Sequence, residues 1–564
     1  MFDRFRENTT VSRVAAKKMA VFISLGLIAV LFSACGGSGG DAGAGGGSGT
    51  PTFPPVVFMA DNNNDGSVEL YASFNDGANI VQLSETMVPG GNVVDFNVSP
   101  DGVWVAYVAD QDTNNKFELY VVPVDKTAGD DAVKVSGGSM AGVGVKEKAD
   151  GRYAFEWAPD SSRIAYLADQ TTAGVIQLYS NTPDGAENSL LSILPGTDRD
   201  VEDFAWSPNL VNNELLIAYL ADQQTLDVIE LYSTLPNVSS SQKINTGLGP
   251  GRNVTVFKWS PDAQQIAFIA DKTAGIFQLY TTFPNTTTDT LVSGSLAVTS
   301  DVLNFKWSPD SDWLAYLVRS ALPDYQLLTT RNASLASISI SSNIENDADG
   351  NYGWSWDSSL IAFIADENTV DEFELFTSDP ANVSTKARVS GDLVIGGDVI
   401  AFKWAPTELL IAYTADQVSN GKFELYTTNP PPGIAVTPVS GSPFAGDAVK
   451  DDFQWAPDSS LIAYRADQDT FNQIELYATD PEGLENDKVS GTLPGGGDVD
   501  EFKWNDDEPE PSIGYLANQI SLSVTELFAS LPDGTANTRL SSDLVDGSGD
   551  PAADSDVSAF EWVP

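Results

Sequence analysis

Carboxylates at short, regular spacing are the residues of this chain most capable of chemistry. In YRADQDTFNQIELY (Tyr464–Tyr477), Asp467 and Asp469 stand two apart at the head of a polar stretch that ends on Glu475. Paired carboxylates can share protons as a general acid and base, or they can supply oxygen ligands to a hard cation. The pattern recurs: an aspartate opens a similar stretch at Asp61, Asp110, Asp169, Asp222, Asp271, Asp366, Asp416 and Asp467, with Asn518 as a variant. The strongest cation candidate is DNNNDGSVE, where Asp61, Asn63, Asp65 and Glu69 offer alternate oxygen ligands and Gly66 permits the sharp turn a calcium loop needs. DQDTNNKFE at Asp110 is a poorer copy, and DQTTAGVIQ at Asp169 lacks the inner ligands. The competing reading needs no metal: an aspartate at the head of a turn accepts backbone amides and caps it.

Composition removes several other chemistries. The chain has no histidine, hence no imidazole base, no imidazole metal ligand and no Ser-His-Asp arrangement. Its one cysteine, Cys35, can build neither an internal disulfide nor a thiolate metal site. With 79 acidic against 29 basic residues the formal charge is -50, which repels nucleic acid and anionic headgroups and favours cations or basic proteins as partners. Such a surface also serves plain solubility in salty surroundings. At 564 residues and 42% hydrophobic content the chain can bury a large core.

The elements that carry the aspartates repeat about every 50 residues from residue 55 onward. Each unit opens on an aromatic-x-aromatic strand and a turn, as in FEWAPD at Phe155, FAWSPN at Phe204, FKWSPD at Phe257 and Phe305, and FQWAPD at Phe453. An apolar strand ending in Ala-Asp follows (IAYLAD, IAFIAD, IAYTAD, IAYRAD), then a strand of the type ELY, as at Phe117 and Ile474, and a weak fourth segment. β-branched and aromatic enrichment with Ser-Pro-Asp turns predicts strands throughout, and four strands per repeated unit predict the blades of a β-propeller. The unit resembles the WD40-like propeller repeat of the TolB family over nearly all of residues 55–564. The N-terminal α/β domain of that family has no counterpart here, so the resemblance implies the propeller and not the family's partners.

Ten third strands can be counted, ending near Tyr71, Tyr120, Tyr179, Tyr232, Tyr280, Leu328, Phe376, Tyr426, Tyr477 and Phe528. The repeat region begins with a second strand, VVFMAD at Val56, and ends with an isolated first strand, FEWVP at Phe560, which is expected to complete the first blade. Closing a ring in this way removes two sheet edges. The expected fold is therefore all-β: one propeller of about ten four-stranded blades. Ten exceeds the usual four to eight. The alternative is two smaller rings meeting near the degraded unit at residues 306–350. Because connections in a meander alternate between faces, the Asp-led loops should share a face with a second set of residues four before each aromatic strand: Asn92, Asp200, Asn253, Asp301, Asp398, Asp498 and Asp556. Together the two sets predict an acidic rim.

The N-terminus supplies an address. Arg4, Arg6, Arg13, Lys17 and Lys18 precede the apolar run MAVFISLGLIAVLFSA, which ends at Cys35. The run is short for a membrane span and reads as a secretory signal. LFSAC resembles the lipobox of bacterial lipoproteins, which implies cleavage before Cys35 and acylation of its thiol; Phe32 departs from the commonest residue at its place. The expected organisation is a signal over 1–34, a Gly/Ser-rich tether over 35–54 after lipidated Cys35, and the propeller over 55–564. Gly36 after the cysteine implies the outer membrane in a Gram-negative source. Gly36-Gly37-Ser38-Gly39-Gly40 matches a nucleophile elbow only by composition, with no strand, helix or histidine to make it one. The function expected is a non-catalytic scaffold at the cell envelope, attached through its lipid alone, that binds a protein or another basic, cationic ligand. A calcium-stabilised surface or adhesion propeller and a carboxylate-based glycan enzyme are the alternatives. No cofactor is expected beyond calcium on the cation reading.

Overall fold

The structure is a computed structural model that describes residues 53–564 apart from 62–65, 75, 138–141, 143, 274, 322–323, 333, 343, 345–350, 370, 442–448, 506–510 and 542–555. Cys35, the signal and all but the end of the tether lie outside the described residues.

Ten sheets of four antiparallel strands form the blades, and nine of them take their strands in chain order. Blade 4 shows the plan: Val201–Trp206 pairs with Ile217–Thr225, which pairs with Val228–Thr234 and then Ser241–Lys243. The strands of a blade are called first to fourth in that order. Blade 1 is composite. Its first strand is Val557–Trp562, which pairs with Val56–Ala60 in the register Val56↔Trp562 and Phe58↔Phe560. The C-terminal strand thus closes the ring as the sequence predicts.

The second strands explain why these segments read as unbroken apolar runs. IAYLA of blade 3 is buried at all five positions, because a blade packs both faces against neighbours. The core is accordingly divided among the blade junctions, each pairing the second and third strands of one blade with the first and second strands of the next: Leu167 and Leu178 of blade 3 meet Phe204, Trp206 and Tyr219 of blade 4. In nine of the ten blades aromatic residues of the second and third strands lie opposite one another; in blade 6 Leu328 faces Tyr316. Tyr464 and Tyr477 are register partners whose rings stack at 5.6 Å.

The first strands break strict alternation. Val201, Phe204 and Trp206 are all buried although the first two are three positions apart. A bulge between Val201 and Asp203 absorbs the extra residue and returns Phe204 to the face Val201 occupies. The same register shift recurs at Val254/Val256, Val399/Ala401 and Val499/Glu501.

Polar bonds run from blade to blade without interruption. Nine indole N–H groups, from Trp157 through Trp562, each donate to a first-strand carbonyl of the preceding blade at 3.1–3.3 Å. At the remaining junction Val98 replaces the tryptophan, and its amide donates to Glu561 of blade 1 at 3.1 Å. Four lysines return the contact: Lys258, Lys306, Lys403 and Lys503 donate to the carbonyls of Phe305, Tyr352, Phe453 and Phe560 of the following blade. Each also lies over that residue's ring, 4.7–5.7 Å from its centroid. The degraded unit is an ordinary member of this series, since Lys306 and Tyr352 clasp blades 6 and 7 across it. The expected single ring of ten blades is what forms, and the alternative of two smaller rings is set aside.

Candidate functional site

Each Asp-led loop follows a buried second strand, so its aspartate is the first polar residue after a run with no room for water. Asp61, Asp110, Asp169, Asp416 and Asp467 are at most 3% exposed, and Asp222 is 8% exposed. A carboxylate at such depth needs hydrogen-bond donors. The backbone of the loop supplies one: the amide five residues on donates to Oδ2 in Asp61 (Gly66, 3.0 Å), Asp110 (Asn115, 2.7 Å), Asp169 (Gly174, 3.0 Å), Asp222 (Asp227, 3.2 Å), Asp366 (Asp371, 3.0 Å), Asp416 (Gly421, 2.7 Å) and Asp467 (Asn472, 3.4 Å). That fifth residue has positive φ in each case, which accounts for the recurrent glycine and asparagine there.

The other oxygen reaches the first strand of the same blade. Oδ1 accepts the amide of Asn92 at Asp110 (2.7 Å), Gly144 at Asp169 (2.9 Å), Asp200 at Asp222 (3.0 Å), Asn253 at Asp271 (2.7 Å) and Asp398 at Asp416 (2.5 Å). The two sets of residues grouped from the sequence do meet, then, but through backbone amides. The second set passes the connection to the preceding blade. Asn92, Asp200, Asn253, Asp301, Asp398, Asp498 and Asp556 each accept, through Oδ1, the amide that opens the third strand there, at Val68, Ile176, Ile229, Phe277, Phe373, Ile474 and Thr525. The rim is a hydrogen-bonded girdle between blades.

Its electrostatics agree with that geometry. Burial pushes the carboxyls of Asp200 and Asp398 above the usual carboxylate range. Glu202 and Asp222 add to it at Asp200, and Asp416, Glu372 and Asp366 at Asp398, against the lowering by the amides they accept. Asp469, by contrast, is half exposed and lies 3.8 Å from Lys488, whose closer partner is Glu475. The opening pair is split: Asp467 is buried and caps its own loop through the Asn472 amide, and Asp469 belongs to the surface.

At the calcium candidate, Asp61 accepts the Gly66 amide, and buried Glu69 accepts the Tyr71 hydroxyl at 3.1 Å. Asn63 and Asp65 lie outside the described residues. Among the described residues no three His, Cys, Asp or Glu side chains are grouped to hold a metal ion.

Sequence reasoning missed a second polar arrangement, repeated at the Asp-Gln step. The tyrosine of the second strand donates to the glutamine after the aspartate, as Tyr166 to Gln170 and Tyr464 to Gln468, and a fourth-strand asparagine completes the set. In two of the blades where phenylalanine replaces that tyrosine, an ion pair stands there instead: Lys272 with Asp289 beside Phe268, and Glu367 with Lys386 beside Phe363. The signal lay in covariation between units, which reading one unit at a time hides.

No family model matches the chain. A stretch of 127 residues is 32% identical to a probable dipeptidyl-peptidase 5 of Aspergillus flavus, covering 21% of this chain and 17% of the relative. The chain thus spans under a fifth of that protein's length. Among solved structures, dipeptidyl peptidase 4 of Porphyromonas gingivalis superposes with a TM-score of 0.44 at 11% identity over 75% of this chain and 64% of its own. TolB from Acinetobacter baumannii does so with a TM-score of 0.27 at 15% identity over 65% of this chain and 84% of its own. Likenesses of this size concern the fold alone.

Proposed function

We propose that this chain is a non-catalytic propeller scaffold, exported and held at the cell envelope through lipidated Cys35, that binds a basic protein partner. One observation carries the reading: the carboxylates best placed for chemistry are buried as acceptors of backbone amides. Asp110, Asp169, Asp222 and Asp416 use both oxygens in this way. A carboxylate so engaged fixes a hairpin; it is poorly placed to move a proton or to bind a cation without first releasing those amides. The charge of -50 favours a cationic partner. Affinity capture of the full chain from its own membrane is expected to recover a basic protein that is released as salt rises. Recovery of the chain alone, at low salt, overturns the scaffold reading.

The stretch similar to the Aspergillus flavus peptidase makes peptide cleavage the rival. It is tested by incubating the full chain with chromogenic dipeptide substrates. No release above buffer is expected, and turnover abolished by one substitution in this chain would establish the rival instead.

A further inference from the structure

On the face opposite the Asp-led loops, where the turns between third and fourth strands emerge, grooves open between adjacent blades. One, of about 290 Å³, lies between blades 9 and 10; another, of about 200 Å³, lies between blades 5 and 6. They occupy the same place in the repeat. Thr479, Asp480, Glu485 and Asp487 of the first correspond to Thr282, Phe283, Thr288 and Thr290 of the second. One shape therefore occurs twice, lined by neutral residues at one junction and by carboxylates at the other.

The acidic groove has a divided chemistry. Leu461, Pro511, Leu531 and Pro532 give it an apolar floor, while Asp480, Glu485, Asp487 and Asp533 surround that floor with no lysine or arginine in the lining. Two of the carboxylates hold their own turns: Asp480 accepts the amides of Leu484 and Glu485 at 3.0 and 2.8 Å, and Asp533 accepts that of Thr535 at 2.9 Å. Glu485 and Asp487 are exposed, and no side-chain bond engages either among the described residues. Lys488, next in sequence, is directed away to Glu475. Leu484, beside Glu485 in sequence, is 84% exposed.

We propose that this groove binds a basic, extended segment of a partner protein. The aliphatic stem of a lysine or arginine lies along the leucines and prolines, and its charged head sits between Glu485 and Asp487. Long basic side chains combine these two characters in one residue, and a volume at the bottom of the small-molecule range suits one or two side chains better than a whole metabolite. The inference rests on the scaffold reading and gives it a site.

The test uses the full chain in detergent and a fluorescent peptide of alternating lysine and alanine, followed by anisotropy at low salt. E485Q/D487N is expected to weaken binding about tenfold, roughly threefold for each exposed carboxylate. D371N/E372Q, which removes the same charge from the opposite face, should change affinity less than twofold. A peptide with every lysine acetylated should not bind. Equal losses in the two variants would show diffuse attraction by the whole acidic ring and overturn the groove, leaving the scaffold reading intact. If capture from the membrane recovers only the chain while the peptide still depends on Glu485 and Asp487, the scaffold reading fails and the groove stands.

Discussion

Replacing Asp110 by alanine separates a structural girdle from a calcium site. In the structure Asp110 accepts the amide of Asn92 at 2.7 Å and that of Asn115 at 2.7 Å, and Asn92 in turn accepts Val68 of blade 1 at 2.8 Å. Asn92 is half-buried and Asn115 exposed, so losing the carboxylate strands one amide and returns the other to water. The stranded amide costs about 1–3 kcal/mol and the solvated one about 0.5–1 kcal/mol, so D110A should destabilise by roughly 2–4 kcal/mol. D110N keeps one acceptor and should cost about half of that. Long repeat arrays depart from two-state unfolding, so in a ring of ten blades a melting midpoint is a poor measure of so local a loss. Hydrogen exchange of the full chain is the better assay, with faster exchange expected at Val68, Asn92 and Asn115 and none at the distant Ile474 amide. D110A combined with N92A should cost less than the sum of the two, because both break one relay. The girdle predicts the same acceleration in calcium and in chelator. An acceleration confined to calcium-loaded protein, or none in either buffer, refutes the reasoning.

Four further outcomes follow from the same contacts. Burial pushes Asp200 and Asp398 up, so their contribution to stability is complete below the unfolded carboxylate value of about 3.9 and is lost as pH rises through their native values. D200N/D398N, which retains the amide acceptors, should therefore melt above the parent chain at pH 8 by more than at pH 4.5; a constant gap counts against this. K272Q alone leaves Asp289, whose side chain is 6% exposed, without its cation and should cost about 3–5 kcal/mol in denaturant, whereas F268Y/K272Q/D289N imports the neutral set of blade 3 and should cost under half as much. K503M removes the bond at 2.6 Å to the Phe560 carbonyl, and W562F removes the indole bond at 3.2 Å to Lys503. Each should raise limited proteolysis near blade 1 more than the matching change at an interior junction, and equal cleavage would show that closure is not the weak point. If Cys35 carries the lipid, C35S should move the chain from the membrane to the soluble fraction, and retention in the membrane would exclude anchoring by that residue.

Much of the fold was legible because the repeat states it ten times. The strand types, the composite first blade and the proximity of Asp110 to Asn92 follow from period-two patterning and from the alternation of connections between faces. What the aspartates do was harder to read. Asp467 and Asp469 look alike in sequence, and only depth separates them: one follows the last buried residue of a strand, the other faces water two residues later. The single ring was expected from the terminal strands that complete one blade, but the contact that carries it through the degraded unit was not legible: Lys306 and Tyr352 meet across a unit whose own motif has decayed. Bulges such as that at Val201/Asp203 hide in sequence as an apparent break in alternation.

The same logic explains where specificity can reside in such a ring. Positions that build the junctions are constrained in nearly every unit, since a change at Trp504 or Asp416 would break a bond to a neighbour or strand an amide. Side chains on the turns between third and fourth strands are less constrained, because the bonds from the preceding blade reach backbone carbonyls there, as from Thr329 to Pro380 and from Thr427 to Pro481. Phe283 and Asp480 occupy one place in the repeat with opposite character, and so do Thr290 and Asp487. A ring of near-identical blades can therefore vary its surface junction by junction while its girdle stays the same. Chemistry that distinguishes one blade from the next is the chemistry a partner could read, which is why the proposed groove lies on the turn face rather than among the aspartates that recur in almost every blade.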